Sequence, residues 1–425
     1  MATFRAEVFQ NEFLPDGGTD VHAIVTVSAE GVGAASTTGG GVAEIIMVDT
    51  SGSMTGAMLR AAKDAAQVAV DHIPDGTWFA IVSGSHVAQR VFPYPNAPVA
   101  IVQMEPAARE EAKRAIARLG AQGGTAMSTW LRLADQIFAT QPAATQRHAI
   151  LLTDGKNESE PRAQLTSTIR AVTGRFQCDA RGVGERWQVD ELREIATALL
   201  GTVELIADPE DIAADFKALL ATSMSRGVAD AQLRVWTPQG GQVLFVRQVA
   251  PTVEDLTSRR TQVTPLIGGY PTGAWADESR DYHVAVRVPS KNVGAEQLAA
   301  RVQVAVADEV VASGLVKAAW SDDASLTARI SPEVAHYTGQ AELASAIQEG
   351  LAAKAAGDEA TATVKLGRAV QLAAETGNEE ATSKLRRVVE IEDEEHGTVR
   401  LKRGASRLDE MALDTASTKT SRVRR

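Results

Sequence analysis

The stretch that decides the fold is Ile45-Ile46-Met47-Val48-Asp49-Thr50-Ser51-Gly52-Ser53-Met54. Its apolar half, rich in branched residues, reads as a strand buried on both faces. The strand ends in a carboxylate and two hydroxyls at alternate positions, Asp49, Ser51 and Ser53. Such a turn at the carboxyl end of a parallel strand directs oxygen atoms into the crevice where open α/β sheets bind ligands. Three hard oxygen donors with little negative charge suit Mg²⁺, which takes about six oxygens and keeps some of them as water. An ion held this way still seeks a negative ligand, so the turn reads as a grip for a partner's carboxylate.

Two later segments extend the pattern. Gly123-Gly124-Thr125 offers a hydroxyl on a glycine-rich loop ahead of a helical stretch, Trp130 to Phe138. Ala149-Ile150-Leu151-Leu152-Thr153-Asp154-Gly155 repeats the order of buried strand followed by carboxylate. In these three segments the chain resembles the von Willebrand factor A (vWA) domain and its metal-ion-dependent adhesion site, over the stretch from about Ala43 to about Met224. The resemblance implies a doubly wound, mainly parallel α/β sheet. It also implies that Ser51 and Ser53 ligate a metal through their hydroxyls, with Thr125 joining directly or through water. Asp49 and Asp154 would act through ordered waters, because a carboxylate behind a water leaves the ion electrophilic. The expected ion is Mg²⁺, with Mn²⁺ and Ca²⁺ as alternatives, and its open position takes an Asp or Glu from a partner protein. The competing reading of the first turn is that Asp49 and Ser51 merely cap a helix beginning near Ala57.

At 425 residues, 44% of them hydrophobic, the chain exceeds one typical domain and can bury a sizeable core. A net charge of −11 argues against general affinity for nucleic acid. The single cysteine, Cys178, cannot form an internal disulfide and reads as a small buried apolar group. The start Met1-Ala2-Thr3-Phe4-Arg5 lacks the order of a signal peptide, and no apolar run nears the roughly 20 residues of a membrane span. The expected location is the cytoplasm.

Between Ala43 and Met224 strands and helices alternate, which favours a parallel sheet covered by helices. Residues 41–226 are therefore expected to form the vWA domain. The flanks differ. Thr3 to Leu14, Val21 to Ala29, Ala231 to Trp236, Val243 to Val249, Gln262 to Ile267, Asp281 to Val288 and Ala299 to Val306 alternate apolar and polar residues, as half-buried antiparallel strands do. Turn signals at Pro238-Gln239-Gly240-Gly241 and Gly268-Gly269 separate some of them. Too few strands precede residue 40 to make a stable sheet alone. One β-sandwich built from residues 1–40 and 227–330, with the vWA domain inserted in a loop, is the expected layout; integrin β subunits resemble it at the level of architecture only.

Residues 331–390 read as a helical segment, with Gln340 to Ala356, Glu359 to Ala374 and Glu379 to Glu390 broken at Gly357 and at Gly377-Asn378. The spacing resembles a tetratricopeptide unit, but one approximate copy favours a packing element for the sandwich or a dimer. Residues 391–425 combine an acidic cluster with a basic tail and read as disordered. The tail hydroxyls Thr415, Ser417, Thr418, Thr420 and Ser421 read first as incidental groups of a solubilising tail. The alternative, implied by the resemblance to bacterial vWA proteins of Ser/Thr phosphorylation systems, is that a forkhead-associated partner reads the tail once it is phosphorylated.

Other candidates are weaker. His86 lies near Ser83 and Ser85 without a nucleophile elbow. Gly182-Val183-Gly184 lacks the third glycine of a dinucleotide fingerprint, and the tryptophans read as core anchors. Two classes of function remain: a metal-dependent protein-binding module, and a metal-dependent phosphate hydrolase. The hydrolase needs a nucleophile or general base beside the metal. The Asp-x-Asp pair of haloacid dehalogenase-type phosphatases is absent, because its second position is Ser51. A binding module, not an enzyme, is the expectation.

Overall fold

A computed structural model describes residues 2–32 and 41–423, so most of the Gly31 to Gly41 connection and the 40/41 boundary expected within it lie outside the described residues. The chain divides into two compact units, one of Val32–Ala229 and one made of the segments Met1–Gly31 and Asp230–Arg425.

The two-segment unit begins with β1 (Thr3–Gln10), β2 (Phe13–Leu14) and β3 (Asp20–Glu30). The continuous unit then carries β4 (Val42–Asp49), α1 (Gly56–His72), β5 (Trp78–Gly84), β6 (Gln89–Phe92), β7 (Val102–Gln103), α2 (Pro106–Ala117) and α3 (Met127–Ala139). It continues through β8 (Gln146–Thr153), α4 (Arg162–Val172), β9 (Gln177–Val183), α5 (Val189–Ala198), β10 (Val203–Ile206) and α6 (Ile212–Ser225). Its sheet has the order β10-β9-β8-β4-β5, all parallel, with β6 and β7 both antiparallel to β5. The edge strand β7 is only two residues long.

Every residue of β4 is buried, as a central parallel strand requires. Its even positions Ile46 and Val48 join Ala62, Ala66, Val70, Phe216 and Leu220 in one core under α1 and α6. Alanines on α1 let the helix approach the sheet closely. The opposite face of the unit carries α3, α4 and α5, with Trp130, Leu131, Leu165 and Leu192 fully buried. From β4 the chain passes to β5 on one side, while β8 lies on the other. The carboxyl ends of β4 and β8 thus form a topological switch point, where such sheets bind ligands.

In the two-segment unit, β11 (Val228–Trp236), β12 (Gln242–Ala250), β13 (Glu254–Asp255), β14 (Thr261–Thr264), β15 (Ile267–Trp275), β16 (Glu278–Arg287), β17 (Glu296–Val306) and β18 (Glu309–Trp320) follow. They join the first three strands in two sheets, of order β1-β3-β16-β12-β13 and β14-β15-β11-β17-β18-β2. Pairing crosses the gap in sequence: Val25 lies opposite Tyr282, and Leu14 pairs with Trp320. Phe4 of the first sheet packs edge-on against Trp275 of the second, with ring centroids 5.6 Å apart. Gly268 and Gly269, expected in a turn, lie inside β15, where Gly269 stands close against Thr261 and Gln232. The strand β18 escaped the periodicity because its first three positions are all exposed.

The helices α7 (Ala324–Thr327), α8 (Pro332–Ala355), α9 (Glu359–Glu375) and α10 (Glu379–Val388) come next. Val334 and Tyr337 of α8 pack on Ile24, Val249 and Ala250, so the helical segment covers the first sheet. The disorder expected for residues 391–425 is corrected: β19 (Val389–Asp393), β20 (Thr398–Leu401) and α11 (Arg407–Ala416) occupy most of that stretch. The charges pair across the hairpin, Arg400 with Glu392 at 2.6 Å, while Val399 and Leu413 join the core of α8, α9 and α10. A few well-placed apolar residues on a preformed helical surface suffice where composition alone predicts no order.

The last described residues are strapped down as well. Val253 N donates to Thr418 O at 2.7 Å, Thr420 Oγ1 donates to Val249 O at 2.7 Å, and His336 Nε2 lies 2.8 Å from Ser421 O. Thr415 and Ser417 are buried.

Candidate functional site

All five residues singled out as metal ligands come together at the carboxyl ends of β4 and β8. Asp49, Ser51, Thr125 and Asp154 are buried, and Ser53 is half-buried. Asp49 folds its own turn: Oδ1 accepts the Ser51 N–H at 2.7 Å, an Asx-type contact. Its Oδ2 accepts the hydroxyl of Thr153, the last residue of β8. Ser51 Oγ and Ser53 Oγ lie 3.0 Å apart, and Ser53 Oγ donates to Asp154 Oδ1 at 2.7 Å. A Cβ placed on Gly155 would lie 3.3 Å from Thr125 Oγ1 and 3.4 Å from Ser53 Oγ. These two hydroxyls therefore converge on one small space, kept open by a glycine.

The loops holding these groups are tied by backbone hydrogen bonds. Gly52 N donates to Gly123 O and Gln122 N to Thr50 O, each at 2.7 Å. Gly123 has φ +76°, a left-handed conformation that disfavours side chains, and His86 packs directly over it. His86 is thus the lid on a loop turn, and among the described residues the hydroxyls of Ser83 and Ser85 bond backbone carbonyls of Gln89 and Val87 instead. Trp130 lies against Gly84 and donates its indole N–H to Ser85 O at 2.7 Å, anchoring α3 under the end of β5. Gly182 is explained in the same way by Trp187.

The sequence reading missed the residues that position Thr125. The first N–H groups of α3 have no partner within the helix. Asn157 Oδ1 accepts from Met127 N at 2.7 Å, and Glu160 Oε1 accepts from Ser128 N at 2.9 Å. The loop after Asp154 therefore caps the helix that follows Thr125, fixing the two ligand segments against each other. Asn157 and Glu160 lie far from Met127 in sequence, so no local capping signal exists to find. Thr153 was legible only as the end of a strand.

Burial pushes the Asp49 carboxyl up to about 6, with the Asp154 charge adding to the rise and hydrogen bonds from Thr153 and Ser51 opposing it. Burial also raises Asp154, against the Ser53 hydroxyl and the charge of Arg186. Two buried carboxylates beside three hydroxyls form an oxygen-rich cluster suited to a cation. Among the described residues no three His, Cys, Asp or Glu cluster as a metal site, so a cation held here depends on hydroxyl donors. Cys178, fully buried in β9, has its thiol pushed well up by burial and packs as the sequence suggested. Among the described residues no helix is long and apolar enough to cross a membrane.

Residues 44–205 match the von Willebrand factor type A domain, and residues 371–417 match the von Willebrand factor type A C-terminal domain. The chain is similar to a von Willebrand factor type A structure from Catenulispora acidiphila: 46% identity, a TM-score of 0.93, and 99% of this chain and 97% of that chain covered. The ArnB paralog VWA2 from Sulfolobus acidocaldarius shares the fold, with a TM-score of 0.58, 14% identity and 98% of each chain covered. The Synechocystis protein sll0103 is 29% identical over 217 residues, which are 50% of this chain and 49% of that protein. The chain thus spans about half the length of that curated relative. Homology over the whole length to the Catenulispora protein, together with the order and geometry of the fold, leads to one conclusion: this chain belongs to the von Willebrand factor type A family.

Proposed function

We propose that the chain is a protein-binding module that holds Mg²⁺ and through it captures an acidic side chain of a partner. Family membership supports metal-dependent protein–protein interaction in general; the choice of ion and ligands rests on the site. The observation that carries it is the spacing of Ser51 Oγ and Ser53 Oγ, 3.0 Å. Adjacent oxygens of an octahedron with bonds of about 2.1 Å lie roughly 3.0 Å apart, so these two hydroxyls, now hydrogen-bonded to each other, are close enough to bind one Mg²⁺ together. Ser51, Ser53 and Thr125 would hold the ion, with Asp49 and Asp154 behind them. When bound, the ion supplies a positive centre with an exchangeable position. The protein's part is to keep both carboxylates in hydrogen bonds of its own, Asp49 with Ser51 N–H and the Thr153 hydroxyl and Asp154 with the Ser53 hydroxyl, so that the positive charge is not cancelled before the partner arrives.

The hydrolase reading is less well supported. Both oxygens of Asp49 already accept hydrogen bonds, from Ser51 N–H and the Thr153 hydroxyl. That carboxylate is an organiser and not a free nucleophile or base. A tail read by a forkhead-associated partner is also less well supported, since Thr420 and Ser421 are hydrogen-bonded within the fold. A kinase would first have to detach the strap. We read the two sheets of the other unit as a sandwich interrupted in sequence by the vWA unit, and the pairing of β3 with β16 supports that reading. A cytoplasmic location remains our proposal.

The test is capture of partners from native lysate by the full chain with Mg²⁺ and with chelator. Ser51→Ala and Asp49→Ala are expected to abolish the chelator-sensitive fraction while circular dichroism is unchanged. Identical partners under all conditions would end the metal-capture reading.

A further inference from the structure

Beside the hydroxyl cluster the vWA unit carries an open cavity of about 310 Å³ for which metal binding has no use. It adjoins the cluster through its lining residue Thr50, which immediately precedes Ser51, and its lining residue Gln122 begins the loop that leads to Thr125. Val87, Tyr94 and Leu119 give it an apolar wall, and Val87 is 51% exposed. The cavity is built and not incidental. Arg90, also in the lining, donates from its guanidinium to the carbonyls of Val99, Tyr94, Pro95 and Ala97, at 2.8–3.2 Å, which holds the wall bearing Tyr94 in place.

The two arginines of the lining differ. Arg90 is tied to these four carbonyls through Nη1 and Nη2, whereas the Arg118 guanidinium, on the residue that ends α2, is exposed and has no hydrogen bond or ion pair among the described residues. Ligand pockets start at about 300 Å³, so the space suits one or two side chains and not a large cofactor. An apolar wall with one free cation, adjoining a site that seeks a carboxylate, is complementary to an acidic segment carrying an apolar residue.

We propose that the cavity is a subsite for the residue next to the partner's metal-bound acid, taking a bulky apolar side chain against Val87, Tyr94 and Leu119 while Arg118 pairs with a second carboxylate. The partner segment therefore has the character acid–apolar–acid. This rests on the carboxylate-capture reading of Ser51, Ser53 and Thr125.

The test uses the full chain with Mg²⁺ and two probes, the N-acetylated peptide amides Glu-Leu-Glu and Glu-Gly-Glu, whose symmetry removes the question of chain direction. Calorimetric titration is expected to show the leucine probe binding roughly tenfold tighter, since burying that side chain is favourable. Val87→Asp, at an exposed position, should bring the ratio of the two affinities to about one, and Arg118→Glu should weaken the leucine probe by roughly tenfold. Equal, chelator-sensitive affinities for both probes, or a ratio unchanged in Val87→Asp, would overturn the subsite and leave metal capture standing. Binding of neither probe, or binding indifferent to chelator, would overturn metal capture and the subsite with it.

Discussion

Replacing His148 with Leu should destabilise the vWA unit by about 3–5 kcal/mol, the range for breaking a buried ion pair from one side. His148, on β8, is fully buried between two equally buried carboxylates. Its Nδ1 lies 2.7 Å from Glu44 Oε1 on β4, and its Nε2 lies 2.8 Å from Asp179 Oδ2 on β9. Burial alone would lower the imidazole, but the Glu44 charge and the contacts with Asp179 outweigh it and raise the group from 6.5 to about 9. At 1.36 kcal/mol per pKa unit that rise is worth about 3 kcal/mol, consistent with the range above. Because the folded value is the higher one, the contribution is complete below pH about 6.5 and is lost as pH rises through about 9. Asp179, held well below the usual carboxylate range mainly by His148, behaves oppositely and loses its contribution only in strong acid.

The two carboxylates differ in what remains once the cation is gone. Among the described residues Asp179 keeps the N–H of Thr202 at 2.6 Å and the Thr202 hydroxyl, whereas Glu44 keeps the Ser223 hydroxyl alone, at 3.4 Å; the Arg226 charge acts on both. Most of the loss therefore comes from Glu44, and the double variant Glu44→Met/His148→Leu should recover most of it, since apolar replacement of a buried pair is often neutral. Urea unfolding of the full chain, with hydrogen exchange of amides in 42–49 and 146–153 as the local readout, measures both. A His148→Leu cost below about 1 kcal/mol, or an imidazole signal in NMR titrating below pH 7, would refute the reasoning.

Thr153→Val removes the hydroxyl that satisfies Asp49 Oδ2; it should cost about 1–3 kcal/mol and weaken Mg²⁺ affinity, read by denaturation and by calorimetry. Gly84→Ala would drive a methyl into the Trp130 ring and should cost at least about 1–3 kcal/mol, with Trp130 fluorescence shifting as its packing changes. Thr420→Val deletes the strap's hydrogen bond to Val249 O and should cost about 0.5–1.5 kcal/mol; faster proteolysis after residue 416 would report it.

The ligand turn was legible because it is local. A run of apolar residues followed by Asp49, Ser51 and Ser53 announces both a buried strand and the oxygen donors at its end, and the repeat ending at Asp154 names the neighbouring strand. The alternation of strands and helices that fixes the fold class is local too, since it follows from periods of two and 3.6 residues. What joins the pieces is not local. Asn157 and Glu160 cap a helix about 30 residues upstream, Thr153 bonds Asp49 across 104 residues, and His148 collects carboxylates from two other strands. Such contacts depend on which strands become neighbours, and no periodicity records that choice. The ordered C-terminal segment makes the same point. Its composition is too polar to build a core, but Val399 and Leu413 need only complete one that α8, α9 and α10 have already made. Local sequence thus determined which groups could bind a cation. Tertiary pairing decided that they meet, what holds them, and which cavity stands beside them.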